Sequence, residues 1–283
     1  MGRRWVSMGI IGSILYGFVS GLTEIMPVSS QANQYLMRQL LGVQQREPIR
    51  DMLVHFAVIA AIIFACRARI LRMRKEQAVA ARIRRSRNKS ELPQSVYEMR
   101  LLRSAVPILV LGLLLCLLLP DLTENRVAFS VLCVLNGVIL MVPAHMHQGN
   151  KTAKAMTGID GFFLGFAGAL SAFPGISRLG SIVSMAILRK TDKVTGFNWA
   201  LMLSIPALIV LAILDFIGIF SVGVGSITAM VVLGYFISAA FAFAGTYLAI
   251  TILKSLIERT QLSGFAYYSF GIALLSFLLY LIT

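Results

Sequence analysis

The sequence predicts an all-α polytopic membrane protein, built as an inverted repeat in which two re-entrant broken-helix hairpins meet near the bilayer midplane. Three observations lead to this fold class. The 283 residues are 58% hydrophobic and only 13% charged, whereas soluble domains carry about 25% charged residues. Several apolar stretches approach the length of a membrane span, and two proline-interrupted motifs in distant parts of the chain resemble each other.

Five stretches with few or no formal charges predict membrane spans, because crossing a bilayer takes about 20 apolar residues. They are residues 104–119, 127–144, 199–219, 226–253 and 264–282. Four shorter apolar pieces are open to three interpretations, as full spans, half-spans or re-entrant segments. These pieces are residues 5–26, 52–66, 159–173 and 179–188.

The net charge of +14 is concentrated in one stretch, since twelve of the 26 Lys and Arg residues lie within 67–103. Basic segments beside membrane spans are retained in the cytoplasm, where they meet anionic lipid headgroups. We therefore expect 67–103 to be a cytoplasmic loop that faces membrane lipids, and we expect no nucleic-acid partner. A regulatory or partner-binding role for this loop is the alternative.

Two proline-interrupted motifs predict the repeat. "GFVSGLTEIMPVSS" (17–30) and "GFAGALSAFPGIS" (165–177) begin 148 residues apart and share Gly-Phe, a small-residue stretch, Leu, a hydroxyl, Pro and Ser. The distribution of basic residues places them on opposite faces of the membrane, which predicts one transmembrane domain (1–283) of two inverted repeats, about 5–144 and 159–283. Broken helices of this kind build polar sites in lipid. A pair of proline kinks without any site is the alternative.

Glu24 and Arg178 are ionisable residues placed beside these breaks. Charges inside a membrane are costly and usually mark a functional site. With Ser29, Ser30 and Ser177, they would give one cavity a cation, hydroxyls and a carboxylate. The cation and hydroxyls suit a phosphate, and a carboxylate beside a phosphate implies a divalent cation or a proton. A buried Glu24–Arg178 ion pair that only joins two half-helices is the alternative.

At these residues the sequence resembles a family, the undecaprenyl-diphosphate phosphatases of bacterial cell-wall synthesis (the bacitracin-resistance family). "GLTEIMPVSS" is similar to the family's N-terminal motif, an acidic pair followed by P-[VI]-S-S-T-G-H, and "PGISRLGS" is similar to its PGxSRSGxT motif. Three further segments resemble the family in the same order along the chain: "DMLVHFAVIAAIIF" (51–64), "FNWALMLSIPAL" (197–208) and "GFAYYSFGI" (264–272).

The resemblance implies a multi-pass enzyme of the bacterial inner membrane, with its active site opening to the outer face. Its substrate would be a C55 polyprenyl diphosphate, from which it removes the terminal phosphate with the help of Mg²⁺ or Ca²⁺. The resemblance assigns catalytic roles to Glu24, Ser30 and Arg178, with Ser30 in the nucleophile's place and Glu24 also as the metal ligand. The residues predicted to contact the substrate are Ser29, Asn33, His55, Gly175, Ser177 and Gly180.

The chain departs from the family pattern inside both motifs. In the second motif, Leu179 and Ile182 replace the second Ser and the Thr. Ser20 stands in place of the first Glu or Gln, and Asn33 stands in place of the His. Asn cannot exchange a proton in phosphoryl transfer, and a missing carboxylate weakens an oxygen-ligand metal site. His55, on the family-like helix, is a candidate replacement base.

Two functions therefore remain open. The first is a lipid-diphosphate phosphatase with a rearranged site, acting in the recycling of the cell-wall lipid carrier. The second is a catalytically impaired relative that binds polyprenyl phosphate lipids and translocates them across the membrane. A homodimer is compatible with either function.

Overall fold

The computed structural model describes residues 8–43, 46–85, 91–115, 126–146, 149–222, 227–256 and 262–282. Over these residues the chain forms eleven α-helices and three short 3₁₀ turns, and no strand occurs in the described part. The helices are α1 (Ile10–Ile25), α2 (Ser30–Leu40), α3 (Pro48–Ala65), α4 (Arg67–Arg85), α5 (Gln94–Leu115), α6 (Arg126–Met141), α7 (Gly158–Ala169), α8 (Arg178–Leu188), α9 (Lys193–Val222), α10 (Ala229–Leu256) and α11 (Ser263–Ile282). The all-α prediction is confirmed.

Each predicted apolar stretch falls on a helix, as far as its residues are described. Within the described residues, three helices are long and apolar enough to cross a membrane, namely Pro48–Ala65, Lys193–Ser221 and Ala229–Ser255. The first of these extends the short apolar piece 52–66 towards the N-terminus, so its length is that of a full span. The end of the predicted span 104–119 lies outside the described residues.

The basic stretch 67–103, predicted as a cytoplasmic loop between membrane spans, is mostly helical in the part that the structure describes. Residues 67–85 form α4 and residues 94–103 belong to α5, whereas residues 86–90 lie outside the described part. Its cytoplasmic position stays a prediction. Arg, Lys, Ala and Gln are strong helix formers, and the buried Met73 joins the hydrophobic core. Arg69 also donates a hydrogen bond of 2.6 Å to Glu98 on α5. Helix propensity and these tertiary contacts together explain why the stretch is ordered.

Glycines allow two pairs of helices to approach closely. α1 packs against α10, and a Cβ added at Gly17 would collide with the backbone of Ser238. α7 packs against α5, and a Cβ at Gly165 would collide with the backbone of Ala105. Small residues at such interfaces are typical of helix packing in membranes, where close backbone approach replaces the hydrophobic effect.

Helix α9 shows how the apolar surface is divided between core and exterior. Trp199 and Ala207 are fully buried in the hydrophobic core. Ile213 and Phe220, further along the same helix, are 51% and 77% exposed. Large exposed apolar side chains on a helix of this length suit a surface that faces lipid rather than water.

Two helix pairs repeat the same local structure. The first helix pair is α1–α2 and the second helix pair is α7–α8. Their second helices each have 11 residues and begin at Ser30 and Arg178, which are 148 positions apart. Both are followed by a residue with positive φ at corresponding positions, Gly42 at 69° and Lys190 at 67°. The local structure is therefore formed twice, and its inverted orientation in a membrane stays a prediction.

Candidate active site

A serine closes the break within each helix pair. Ser29 precedes α2 and its hydroxyl accepts a hydrogen bond from the backbone N–H of Ala32 at 3.2 Å. Ser177 precedes α8 and accepts from the backbone N–H of Gly180 at 3.1 Å. Such caps satisfy N–H groups that have no partner in the first turn of a helix. These residues therefore define where the second helix of each pair begins.

The breaks of the two helix pairs touch each other. The N–H of Gly175 donates to Ser29 Oγ at 3.1 Å, and the Ser177 hydroxyl donates to the Met26 carbonyl at 3.3 Å. Gly175 has a φ of +107°, and an added Cβ would lie 3.0 Å from the backbone nitrogen of Cys133. Only glycine fits this conformation and this space. The prediction that the two motifs lie together is confirmed.

Glu24 and Arg178 form an ion pair at the contact between the two helix pairs. Arg178 Nη2 lies 2.6 Å from Glu24 Oε1, and each side chain is only 4% exposed. Arg178 Nε also donates to Ser204 Oγ at 3.2 Å, and the Ser30 side chain lies beside the Glu24 carboxylate. The ion pair that the sequence left as an alternative is therefore present, and its surroundings decide whether it has only a structural role.

The ion pair faces a cavity of about 290 Å³ rather than closed aliphatic packing. Besides Glu24 and Arg178, the polar residues of its lining include Ser30, Gln31, Gln34, Arg46, His55 and Asp215. The apolar residues of its lining include Val28, Leu113, Ala172, Ile176, Leu211 and Leu214. Because charged and aliphatic groups share one cavity, the arrangement suits an amphiphilic ligand with a charged head.

A second charged cluster lies in the same cavity. His55 Nδ1 on α3 and Asp215 Oδ2 on α9 are 2.8 Å apart, and both residues are buried. Arg46, whose side chain is 52% exposed, lies 3.6 Å from Asp215 and 3.5 Å from Asp51. Asp215 and Arg46 were not among the site residues predicted from the sequence. A lone carboxylate within the apolar stretch 199–219 was the available signal for Asp215.

Four of the predicted site residues line the cavity: Glu24, Ser30, His55 and Arg178. Of the others, Ser29, Gly175 and Ser177 form the contact between the helix pairs, and Gly180 donates its N–H to the capping Ser177. Both groups thus belong to one local structure, although their roles towards a substrate stay predictions.

Asn33 has a different setting. Its amide donates to the Ser29 carbonyl at 2.8 Å, and its oxygen accepts a hydrogen bond from Tyr268 on α11 at 2.5 Å. It does not contribute to the lining of the cavity described above. The side chain at the family's histidine position is therefore occupied by structural partners.

The described residues contain no cluster of three or more His, Cys, Asp or Glu side chains that could hold a metal ion. Mg²⁺ is often held by one or two carboxylates together with substrate phosphates and waters. The Glu24 carboxylate fits this mode, because it lines the cavity that would receive the phosphate. A divalent cation at Glu24 therefore stays a prediction.

Comparison with known proteins places these features in one family. The sequence model described as "Bacitracin resistance protein BacA" matches residues 13–275. Undecaprenyl-diphosphatase 3 of Bacillus cereus is 26% identical over 268 residues, covering 95% of this chain and 96% of the relative. Undecaprenyl-diphosphatases of Carboxydothermus hydrogenoformans and Campylobacter curvus are 24% and 26% identical over 261 residues, covering 92% of this chain and 94% and 95% of the relatives. The matched region includes the second helix pair, the first helix pair from residue 13 onward, and the whole cavity lining.

Proposed function

The chain belongs to the Bacitracin resistance protein BacA family of integral membrane proteins, and from this premise we propose that it is a lipid-diphosphate phosphatase. It hydrolyses undecaprenyl diphosphate to undecaprenyl phosphate and phosphate, the substrate class named in its relatives. The observation that carries the proposal is the buried Arg178 guanidinium, which lines a cavity that also has an aliphatic wall. A diphosphate head with a prenyl chain matches both parts.

Arg178 binds the terminal phosphate in this proposal. Its guanidinium offers a planar fork of donors that matches phosphate oxygens. It is also the first residue of α8, where the helix N-terminus adds partial positive charge. A phosphate that enters the cavity competes with Glu24 for the guanidinium, so substrate binding weakens the ion pair seen here.

Ser30 supplies the nucleophile and Glu24 supports it. Ser30 is the first residue of α2, and its side chain meets the Glu24 carboxylate. When a divalent cation is bound, it neutralises charge on the transferred phosphoryl group, and Glu24 is the residue that would hold it. Without the cation, a carboxylate close to a phosphate would repel it.

The aliphatic wall of the cavity receives the first part of the prenyl chain. Leu211 and Leu214 on α9 face Leu113 on α5 across this wall. We place the protein in the bacterial inner membrane, with the cavity opening to the outer face and α4 in the cytoplasm. The basic character of α4 supports this orientation.

Phosphate release from undecaprenyl diphosphate in detergent, with Mg²⁺ or Ca²⁺, tests the proposal. The wild-type protein should release phosphate, and Arg178→Ala should lose at least about 100-fold in kcat/KM because it removes the phosphate clamp. Arg72→Ala is a matched control, since Arg72 on α4 is 64% exposed and forms only a 3.8 Å pair with Glu76. Folded wild-type protein that releases no phosphate with either metal would contradict the proposal.

A second candidate function is translocation of polyprenyl phosphate lipids. It is favoured by the repeated helix pairs, because repeats of broken helices that meet at a central site are common in transporters. Proteoliposomes with the protein should then move polyprenyl phosphate faster than protein-free vesicles. The double substitution Ser20→Glu with Asn33→His separates the two functions. If the wild type is inactive and the double variant gains phosphatase activity, the chain has lost its chemistry, which favours translocation. If the wild type already releases phosphate, the first function is supported.

A further inference from the structure

His55 and Asp215 form a pair that the family motifs do not predict. His55 lies on α3 and Asp215 lies on α9, 160 positions further along the chain. His55 Nδ1 is 2.8 Å from Asp215 Oδ2. His55 is 7% exposed and Asp215 is 9% exposed. Both line the same cavity as Glu24 and Arg178. The pair is thus buried within the protein but open to whatever occupies the cavity.

The chemistry of the pair fixes the roles of the two ring nitrogens. Because a carboxylate accepts hydrogen bonds, the tautomer that suits the contact with Asp215 carries its hydrogen on His55 Nδ1. The other nitrogen, Nε2, then keeps its lone pair in the neutral imidazole. A histidine held in this way is suited to take a proton from a hydroxyl group and to return it later.

The other candidate bases near the cavity are engaged elsewhere. Glu24 lies 2.6 Å from Arg178 in the absence of substrate, and in the proposed reaction it is the residue that would hold the divalent cation. Asp51 accepts a hydrogen bond from Tyr16 at 2.6 Å and lies 3.5 Å from Arg46. Asn33, at the position of the family's histidine, cannot titrate and is bound to Tyr268.

We propose that His55 is the proton acceptor and donor of the phosphatase reaction, and that Asp215 is the positioning residue that orients it. The inference rests on the proposed function and adds to it the group that moves the proton. It explains how a chain with Asn33 at the family's histidine position retains a route for that proton.

The proton and the bonds balance over two steps. In the first, Ser30 Oγ forms a bond to the terminal phosphorus, its proton passes to His55 Nε2, and undecaprenyl phosphate leaves with the electron pair of the broken P–O bond. In the second, water attacks the phosphoserine, and the bond from phosphorus to Ser30 Oγ breaks. The proton held by His55 returns to Ser30 Oγ, and the water's oxygen and protons leave with the phosphate. The sum is hydrolysis by one water.

The first experiment compares His55→Gln with His145→Gln. Gln at position 55 keeps a donor for Asp215 but cannot exchange a proton, so kcat should fall about 100-fold or more while KM changes little. His145 is exposed, and its recorded contact is 3.2 Å to the Met141 carbonyl, so His145→Gln should retain the wild-type kcat. The melting temperature of each variant in detergent shows that loss of activity is not loss of folding.

Chemical rescue separates a chemical role from a structural one. His55→Ala leaves the space of an imidazole ring within the cavity, and added imidazole should restore part of the lost kcat. The same imidazole should not restore Arg178→Ala, because that variant lacks the phosphate clamp. Rescue of His55→Ala supports the proposal, and rescue of neither variant by imidazole counts against it.

A double-mutant cycle tests the role of Asp215. Asp215→Asn removes the acceptor for Nδ1–H and should lower kcat by less than His55→Gln does. If Asp215 acts through His55, adding Asp215→Asn to His55→Gln should cause little further loss. Additive losses would overturn the positioning role.

The outcomes distinguish this inference from the function on which it rests. A wild-type protein without phosphatase activity overturns both. A wild-type protein with activity, combined with His55→Gln activity within about 3-fold of it, overturns only the His55 proposal, because general acid–base catalysis contributes about 100-fold or more.

Discussion

The two helix pairs have the same backbone conformation but differ in the chemistry of their side chains. Helix α2, in the first helix pair, is polar, with Asn33 and Arg38 buried and Leu40 80% exposed. Helix α8, in the second helix pair, is apolar, and Leu179 and Val183 are fully buried in the hydrophobic core. Core packing therefore holds α8 in place, whereas hydrogen bonds and charges hold α2.

This difference shows how a repeat can build an asymmetric site. Ser30 and Arg178 occupy the same position in their helices, the first residue after the capping serine. The crossing hydrogen bonds between the two breaks then bring both residues to one cavity. A change of one side chain at an equivalent position is enough to place a hydroxyl opposite a guanidinium. In the proposed reaction, the same local geometry would supply a nucleophile from the first helix pair and an anion ligand from the second.

Substitutions of Arg178 and Ser30 should give the largest difference in stability between the two helix pairs. Arg178→Ala leaves the Glu24 carboxylate buried without its cation, which should lower the free energy of unfolding by about 3–5 kcal/mol. Ser30→Ala removes one neutral partner of the same carboxylate and should cost about 1 kcal/mol. Unfolding by SDS titration in mixed micelles, followed by tryptophan fluorescence, measures both.

The double variant Arg178→Ala with Glu24→Ala is the control for this prediction. It removes both charges and should be less destabilised than Arg178→Ala alone. Equal destabilisation by Arg178→Ala and Ser30→Ala would show that the ion pair contributes little to stability.

The two pairs should respond alike where their packing is alike. Gly17→Ala places a methyl group against the Ser238 backbone, and Gly165→Ala does the same against Ala105. Backbone atoms yield less readily than side chains, so each substitution should cost about 1–3 kcal/mol. Gly271→Ala on α11 meets nothing within 4 Å and should raise stability by up to about 1 kcal/mol. A cost for only one of the two buried glycines would contradict equivalent packing.

The sequence predicted the helices and the meeting of the two breaks. Apolar length predicts helices because backbone groups in lipid must bond internally. The likeness of 17–30 and 165–177 predicts the meeting, since each motif carries a polar group that is costly in lipid on its own. Local sequence therefore contained the signal for Glu24, Ser30 and Arg178.

The remaining features depend on contacts between distant residues. The proposed role of Asp215 depends on its contact with His55, 160 positions away. No local sequence pattern predicts a contact between residues so far apart in the chain. Asn33 accepts a hydrogen bond from Tyr268, 235 positions away, which connects α2 to α11. The helical state of α4 follows from helix propensity, whereas the charge pattern bears only on the side of the membrane. Pairings of this kind are set by tertiary packing.

Substitutions of the capping serines, Ser29 and Ser177, should give a smaller difference in stability between the two helix pairs. Ser29→Ala removes the cap of α2 and also leaves the buried Gly175 N–H without its acceptor. Ser177→Ala removes the cap of α8 and leaves only the Met26 carbonyl without one donor. Loss of a cap costs about 1 kcal/mol, and a buried donor without a partner adds about 1 kcal/mol or more. Ser29→Ala should therefore be more destabilised than Ser177→Ala. The reverse order in SDS titration would contradict the hydrogen bond from the Gly175 N–H to Ser29 Oγ.

The smallest effect is expected at Ser20, which lies where the family carries an acidic or amide side chain. Ser20 is fully buried, and within the described part of the chain its hydroxyl has no hydrogen-bond partner. Ser20→Ala removes an unsatisfied polar group, so the free energy of unfolding should stay the same or rise by up to about 1 kcal/mol. Its counterpart in the second helix pair is Gly168, where an added Cβ would lie 2.8 Å from a Leu109 methyl group. Gly168→Ala should therefore be destabilised, and a loss of stability in Ser20→Ala of similar size would show that the Ser20 hydroxyl has a partner, such as a buried water.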